Sequence, residues 1–214
     1  MDVERIIRRS AQEIEDGQII NLGIGLPTKV LSHLPDEKDV LIHSENGILG
    51  SWKRASLLDI DPFLIDAGGT YVSVRPGSAI MDSAVSFALI RRGKIDITMI
   101  GAFEVDQSGN LANWKIPGYF SPGIGGAMEL AQKTKRVIVL CGHNSKDGKP
   151  KILKECQLPL TATKCVSRII TDKAVMDVTE EGLVLRELAD NIELDELIAC
   201  TEADLIIPNE IGRF

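Results

Sequence analysis

Short apolar runs recur along this chain, at residues 18–22, 39–42, 59–66, 95–100, 136–141 and 166–170, separated by stretches with helical spacing or turn-forming residues. Runs of this length and hydrophobicity read as buried strands. Strands separated by helices are joined by crossovers, so the alternation predicts a single layered α/β domain with a mostly parallel central sheet and flanking helices. Residues 3–14 set Val3, Ile6, Ile7 and Ile14 on one face with Arg and Glu opposite, and Gly17 is placed to close that helix. After the strand at 18–22, Gly23-Ile24-Gly25 marks a turn, and Pro27 opens a second helix through Leu34, because proline is tolerated in a first helical turn. Further helices are predicted over 82–92, with Val85, Ala88 and Leu89 at helical spacing and Gly93 as the stop, over 127–132 and over 194–200. Residues 71–74 read as extended. Residues 174–178 and 183–187 flank the turn Thr179-Glu180-Glu181-Gly182, which predicts an antiparallel hairpin near the C-terminal end. No Ser/Gly/Pro linker and no internal repeat divides the 214 residues, a length that suits one domain.

Aromatic residues make up only 4% of the chain, so its core has to be built from aliphatic side chains. The formal net charge of −7 argues against a nucleic-acid surface, which needs an excess of Lys and Arg to neutralise phosphates. Any anionic ligand must be held locally, by backbone amides or a few basic residues. No stretch approaches the ~20 apolar residues of a membrane span, and Met1-Asp2-Val3-Glu4-Arg5 carries no apolar signal region. A cytoplasmic protein is the expectation, with neither nucleic acid nor membrane as partner. Cys141, Cys156, Cys165 and Cys200 form no C-x-x-C pair and have no His at zinc-finger spacing, so they read as buried free thiols. Cys141-Gly142-His143 offers two potential ligands, which do not make a site, and no metal is expected.

Gly23-Ile24-Gly25 follows a strand and precedes a helix, as a dinucleotide fingerprint would, but Thr28 stands at the third glycine position and no acidic residue ends the next strand. The segment reads as a tight turn, or as a helix start brought close to a phosphate or carboxylate. Ser44-Glu45-Asn46-Gly47 stands just past the run Val40-Leu41-Ile42. A carboxylate on a turn that ends a buried strand stands clear of the sheet and faces whatever binds there, which suits a nucleophile. The same four residues, taken alone, also describe an Asn-Gly turn with a solvated glutamate. Three more Gly-rich polar segments accompany them, at 101–106, 109–114 and 123–128. The stretch 104–126 is too long for a simple connection, and such loops usually carry function.

Taken in order, these segments identify a resemblance. Asn21-Leu22-Gly23-Ile24-Gly25-Leu26-Pro27-Thr28, Ser44-Glu45-Asn46-Gly47, Asp66-Ala67-Gly68, Pro76-Gly77-Ser78, residues 106–117 with Leu111-Ala112-Asn113-Trp114, residues 123–128 and Leu158-Pro159-Leu160-Thr161 resemble the B (beta) subunit of family I coenzyme A transferases. That group contains the 3-oxoacid, acetate and acetoacetate CoA-transferases. The resemblance covers nearly the whole chain and implies one domain over 1–214 with the coenzyme A transferase fold, which sugar-phosphate isomerases share. It implies Glu45 as the nucleophile and Gly126 as one backbone donor to the oxyanion, the other donor coming from the A (alpha) subunit. Coenzyme A, a substrate and not a permanently bound cofactor, is expected along the loops holding Gly101, Ala102, Gly125 and Ala127, with Gly25 and Asn46 also in the binding site. Family members place the active site between A and B halves, so an A subunit is the implied partner, most simply in an A2B2 tetramer.

The chemistry explains the residue type. A carboxylate that attacks an acyl-CoA thioester gives a mixed anhydride and CoA thiolate; the thiolate then attacks the glutamyl carbonyl, leaving a glutamyl-CoA thioester and the free acid. An acceptor acid reverses both steps. Carboxylates as a class are ionised at neutral pH, so no separate general base is needed, and preorganised amides stabilise the oxyanion of each attack. The expected reaction moves CoA from an acyl-CoA to a free acid, a short 3-oxoacid such as acetoacetate. Fold alone also admits a non-catalytic ligand-binding or sensor module, and an acyl-CoA hydrolase differs only in letting water reach the glutamyl thioester. The chain departs from the acetoacetate pattern at Ser51-Trp52-Lys53-Arg54-Ala55, at Ala67-Gly68-Gly69-Thr70 and at Tyr119-Phe120-Ser121-Pro122, which bears on the donor and acceptor used. Trp52 reads as core filling or as part of that site.

Overall fold

The computed structural model describes residues 1–56, 58, 60–121 and 123–214. From the N-terminus the chain forms α1 (Val3–Ala11), β1 (Gln18–Leu22), a 3₁₀ helix (Pro27–His33), β2 (Val40–Ser44), β3 (Ile48–Arg54), β4 (Val72–Ile80), α2 (Ser83–Arg91), β5 (Ile97–Gly101), β6 (Glu104–Asp106) and β7 (Leu111–Ala112). It continues with α3 (Ala127–Lys133), β8 (Arg136–Leu140), β9 (Ile152–Leu153), β10 (Arg168–Ile170), β11 (Ala174–Thr179), β12 (Gly182–Leu188), α4 (Leu194–Ala199), β13 (Leu205–Ile206) and β14 (Gly212–Arg213).

Strands β10, β8, β5, β1 and β2 lie side by side in that order and pair in parallel. Their residues alternate between two cores, Val137 and Val139 facing one and Ile138 and Leu140 the other, as the pleat of a strand requires. Burial on both faces is why these runs are mostly apolar, with Asn21, His43 and Thr98 as buried polar exceptions. On one face α1 and the 3₁₀ helix bury Ile6, Ile7 and Val30. On the other, α2 and α3 bury Ile90 and Leu130 against Ile95, and a small sheet in the order β7, β6, β9 adds Leu111, Val105 and Ile152. Helix α1 starts where the Asp2 carboxylate accepts from the Arg5 N–H at 3.1 Å, and α2 where Asp82 accepts from Ala84 N–H at 2.7 Å, the capping that short polar side chains supply.

Antiparallel strands extend the sheet at both edges. The hairpin expected near the C-terminal end is present as β11 and β12. A second antiparallel set, β2 with β3 and β3 with β4, forms the opposite edge. The strand expected over 59–66 is absent from the residues described there: Ile65 only bridges Tyr71, and Asp59 lies outside the described residues. Backbone bonds there close turns instead, from Leu64 N–H to Asp61 C=O at 3.0 Å and from Asp66 N–H to Thr70 C=O at 2.9 Å. Helix α1 stops at Ala11, and Ile14 is buried from the turn beyond it. No helix among the described residues is long and apolar enough to cross a membrane.

The topology also creates a crevice. From β1 the chain adds β2 on one side and β5, β8 and β10 on the other, so the strand order reverses between β1 and β5. At such a reversal the connections diverge, leaving a ligand-sized opening beyond the carboxyl ends of the strands.

Candidate active site

Strand β2 ends at Ser44, and Glu45, Asn46 and Gly47 turn the chain into β3. The turn is closed by the Gly47 N–H, which donates to the Ser44 carbonyl at 3.0 Å. Only glycine fits that corner: its φ is +124°, and a Cβ would stand 2.1 Å from the Met81 carbonyl oxygen. Met81 N–H in turn donates to Gly47 C=O at 2.8 Å, which ties the turn to the end of β4. Glu45 is thereby held half-buried at the rim of the crevice.

The start of α3 lies directly against it. A side-chain carbon built on Gly126 would stand 3.2 Å from Glu45 Cγ and 3.5 Å from its Oε1. Gly126 is buried, and its N–H makes no hydrogen bond among the described residues. At the end of β5, Gly101 C=O accepts from Asn113 Nδ2 at 3.1 Å, and just beyond it Phe103 N–H donates to Ala112 C=O at 2.9 Å. The Thr161 hydroxyl donates to Asn113 Oδ1 at 2.6 Å, and Trp114 Nε1 donates to Leu160 C=O at 3.2 Å. The Leu111-to-Trp114 and Leu158-to-Thr161 segments thus brace one another behind the Gly101 loop. Lys151 Nζ donates to the Ala102 carbonyl at 2.5 Å and sets a cation in the same wall.

Glu45, Gly101, Ala102, Gly125, Gly126 and Ala127 line a single cavity of about 1130 Å³. Two expected site residues do not line it. The Asn46 amide donates to Ile65 C=O at 2.6 Å, and Gly25 accepts from the Thr28 hydroxyl at 2.8 Å. In place of Gly25, Gly23 and Ile24 form that wall; Gly23 is where β1 meets β5, its N–H donating to Met99 C=O at 2.8 Å. All three segments that depart from the acetoacetate pattern reach this cavity, through Trp52, Lys53 and Arg54, through Ala67, Gly68 and Thr70, and through Tyr119 and Phe120; Pro122 lies outside the described residues. Trp52 serves two roles, packing into the core at 8% exposure with the Arg75 guanidinium 3.6 Å above its ring, and lining the cavity.

Beneath Glu45 lies a polar group that sequence reasoning missed. His43 is 2% exposed, with Nδ1 3.4 Å from Asn21 Nδ2 and Nε2 2.8 Å from the Ser86 hydroxyl. Burial pushes its pKa down to about 4, against the smaller opposing effect of the Ser86 hydrogen bond, so the ring is neutral. The available signal was a polar residue near the end of each of two apolar strands, Asn21 in β1 and His43 in β2. His143 takes no part: its ring nitrogens stand 3.0 and 2.8 Å from the Thr171 and Thr201 hydroxyls, and burial raises the pKa of the neighbouring Cys141. A half-buried carboxylate packed against a buried glycine whose N–H has no acceptor among the described residues is equipped to attack an electrophilic carbonyl, with a backbone amide left over for the developing oxyanion.

The chain matches the Coenzyme A transferase family over residues 3–199. Over 204 residues it is 46% identical to the probable coenzyme A transferase subunit beta of Bacillus subtilis (strain 168), spanning 95% of this chain and 94% of that one. Over 212 residues it is 47% identical to the acetate CoA-transferase subunit beta of Haemophilus influenzae, spanning 97% and 92%. Among solved structures, the apoenzyme of an acyl-CoA transferase from Escherichia coli O157:H7 superposes with a TM-score of 0.81 at 22% identity, over 99% of this chain and 43% of that one, a likeness of fold.

Proposed function

The chain belongs to the coenzyme A transferase family, and from that premise we propose that it carries CoA between a short acyl-CoA and a free acid with Glu45 as covalent nucleophile. The observation that supports this reading most strongly is the approach of Gly126 to the Glu45 carboxylate at the strand-order reversal. In the first half-reaction a Glu45 oxygen attacks the thioester carbonyl, and the C–S bond breaks to release CoA thiolate and leave an acyl-glutamyl anhydride. The thiolate then attacks the glutamyl carbonyl, expelling the donor acid and leaving a glutamyl-CoA thioester. An acceptor carboxylate attacks that thioester, and returning thiolate removes the new acyl group as acyl-CoA. In every step negative charge gathers on a carbonyl oxygen beside the Gly126 N–H, where one well-placed donor stabilises it by roughly 3–4 kcal/mol. The acid in this reading is a short 3-oxoacid, acetoacetate being the simplest, and the wall positions Trp52, Lys53, Arg54, Ala67, Gly68 and Thr70 are those at which acids are distinguished.

A partner completes the site. The relatives are named as beta subunits, and the cavity mouth carries exposed apolar side chains, Ile24 at 69%, Tyr119 at 76% and Phe120 at 94%. An A subunit seated there closes the cavity and supplies the second oxyanion donor, in an A2B2 assembly.

The test is to incubate the A/B complex with acetoacetyl-CoA and examine Glu45 by mass spectrometry, or by borohydride reduction of the thioester. A CoA adduct on Glu45 is expected, and Glu45→Gln abolishes it while shifting the thermal transition by no more than about two degrees, since a half-exposed turn carboxylate contributes little to folding. An assembled complex that forms no adduct sinks the proposal. Steady release of CoA without an acceptor acid would show hydrolysis in place of transfer.

A further inference from the structure

We infer that His43 is a positioning residue for Glu45, acting through a directed chain of hydrogen bonds that ends on the peptide group joining Ser44 to Glu45; the inference rests on the CoA transfer proposed above. Donor and acceptor chemistry fixes the direction of the chain. The Asn21 amide nitrogen only donates, and it lies 3.1 Å from the His43 carbonyl oxygen and 3.4 Å from Nδ1. The acceptor nitrogen of the ring is therefore Nδ1, and its proton sits on Nε2. That Nε2–H donates to Ser86 Oγ at 2.8 Å, and the Ser86 hydroxyl proton is left to donate to the Ser44 carbonyl at 3.4 Å. An imidazolium would set a second N–H against the Asn21 amide, and burial keeps the ring neutral.

The Ser44 carbonyl is shared between this chain and the turn itself, since it also accepts the Gly47 N–H at 3.0 Å. On the other side the Ser44 hydroxyl accepts from Ala67 N–H at 2.9 Å. Helix α2 and the turn thus hold one peptide plane, and the 66–70 loop holds the Ser44 side chain beside it. Any rotation of that plane swings the Glu45 side chain, and attack on a carbonyl requires approach to about 3–3.5 Å with the orbitals aligned. Space filling alone does not account for histidine here. An aliphatic residue fills an internal strand without the cost of burying an imidazole and the two polar side chains that satisfy it.

Three variants separate hydrogen bonding from packing, all assayed in the A/B complex. His43→Leu removes both ring nitrogens at similar volume; His43→Gln returns an N–H toward Ser86 and an acceptor toward Asn21; Ser86→Ala leaves the ring and cuts the link to Ser44, and stands in for His43→Leu if that variant fails to fold. Adduct formation on Glu45 from acetoacetyl-CoA is followed by rapid quench and mass spectrometry, and hydrogen exchange is measured across residues 44–47. The expected result is that His43→Leu and Ser86→Ala slow the adduct by about tenfold to a hundredfold, with KM within about twofold of wild type and faster exchange in the turn, and that His43→Gln restores most of the rate. Folded His43→Leu and Ser86→Ala complexes that form the adduct at the wild-type rate overturn the inference, as does a His43→Gln complex no better than His43→Leu. If the wild-type complex itself forms no adduct, the transfer reading fails and takes this inference with it, a result distinct from normal wild-type chemistry with unaffected variants.

Discussion

A methyl group added at Gly126 would stand 3.2 Å from Glu45 Cγ and 3.3 Å from Phe87 Cζ. The backbone there has φ −76°, so alanine meets no backbone strain and the crowding falls on those two side chains. Gly126→Ala is predicted to cost about 1–3 kcal/mol of stability at most while slowing transfer by roughly a hundredfold, because it displaces the proposed nucleophile. Urea midpoints set beside adduct rates check this, and an unchanged rate would reduce Gly126 to a packing role. Gly47→Ala is the contrasting case, with φ +124° and a new carbon 2.1 Å from the Met81 carbonyl oxygen. Neither backbone can yield cheaply, so a loss of more than about 2 kcal/mol is expected; a midpoint equal to that of wild type would contradict it. Both glycines stand in segments that carry the family resemblance, which is why the two sides of the site could be named before their contact was seen. His43 could not be assigned in the same way. Its partner Ser86 sits in α2, where helical spacing shows which face is apolar but not that a serine on the buried side reaches back to a strand end.

Glu13 joins helix α1 to the sheet. Its carboxylate, in a residue 6% exposed, meets Arg9 Nη1 at 2.7 Å and Arg168 Nη1 at 2.6 Å and also bonds Arg136. Arg168 passes the network to Asp177 at 2.6 Å, and Arg186 meets the same carboxylate at 2.9 Å, so α1, β8, β10, β11 and β12 are stitched along one line. Burial raises the Glu13 pKa, but the guanidiniums of Arg168, Arg136 and Arg9 more than reverse that and hold it below the usual carboxylate value. Asp177 is lowered in the same manner, burial being outweighed by Arg168 and Arg186. A depressed native pKa means the unfolded chain takes up protons first. The stabilisation is complete above the unfolded value of roughly 4 and is lost as pH falls through the native one. Glu13→Gln leaves Arg136 without its carboxylate, while Arg9 keeps Glu187 and Arg168 keeps Asp177; it is predicted to cost about 1–3 kcal/mol near neutral pH and to flatten the acid limb of stability, read from urea midpoints between pH 7 and pH 3. Equal midpoints and an equally steep acid limb would show the network to be neutral. The parallel strands were legible because burial on both faces demands a nearly continuous apolar run. Strand β4, of which only Val72 is buried, and β3, interrupted by Gly50 and slipping register against its neighbours, carry no such pattern.

At the scale of the whole molecule, the proposed function leaves this chain with half a site. Glu45 and the Gly126 N–H belong to this chain, but the cavity they share opens through a mouth where Tyr119 and Phe120 stand 76% and 94% exposed. Exposed aromatic anchors around a functional opening are what a subunit interface offers. The sequence marked 104–126 as a loop too long for a simple connection and Tyr119-Phe120 as a departure from the acetoacetate pattern, but assigned these residues no contact, because the role proposed for them depends on the surface of another chain. Alone, the chain is predicted to form no adduct from acetoacetyl-CoA, and addition of the A subunit to restore it. Phe120→Asp is predicted to weaken that association by at least about tenfold, as loss of an aromatic anchor does, while leaving the thermal transition of the isolated chain within about a degree, since so exposed a side chain contributes little to its folding. Sedimentation of mixtures measures the association, and titration with A subunit measures the activity. Because Phe120 is placed at the mouth and not at the nucleophile, excess A subunit should return the variant complex to the wild-type rate. A variant that associates normally, or one that stays slow at saturating A subunit, would place Phe120 in the chemistry or on free surface and move the interface elsewhere.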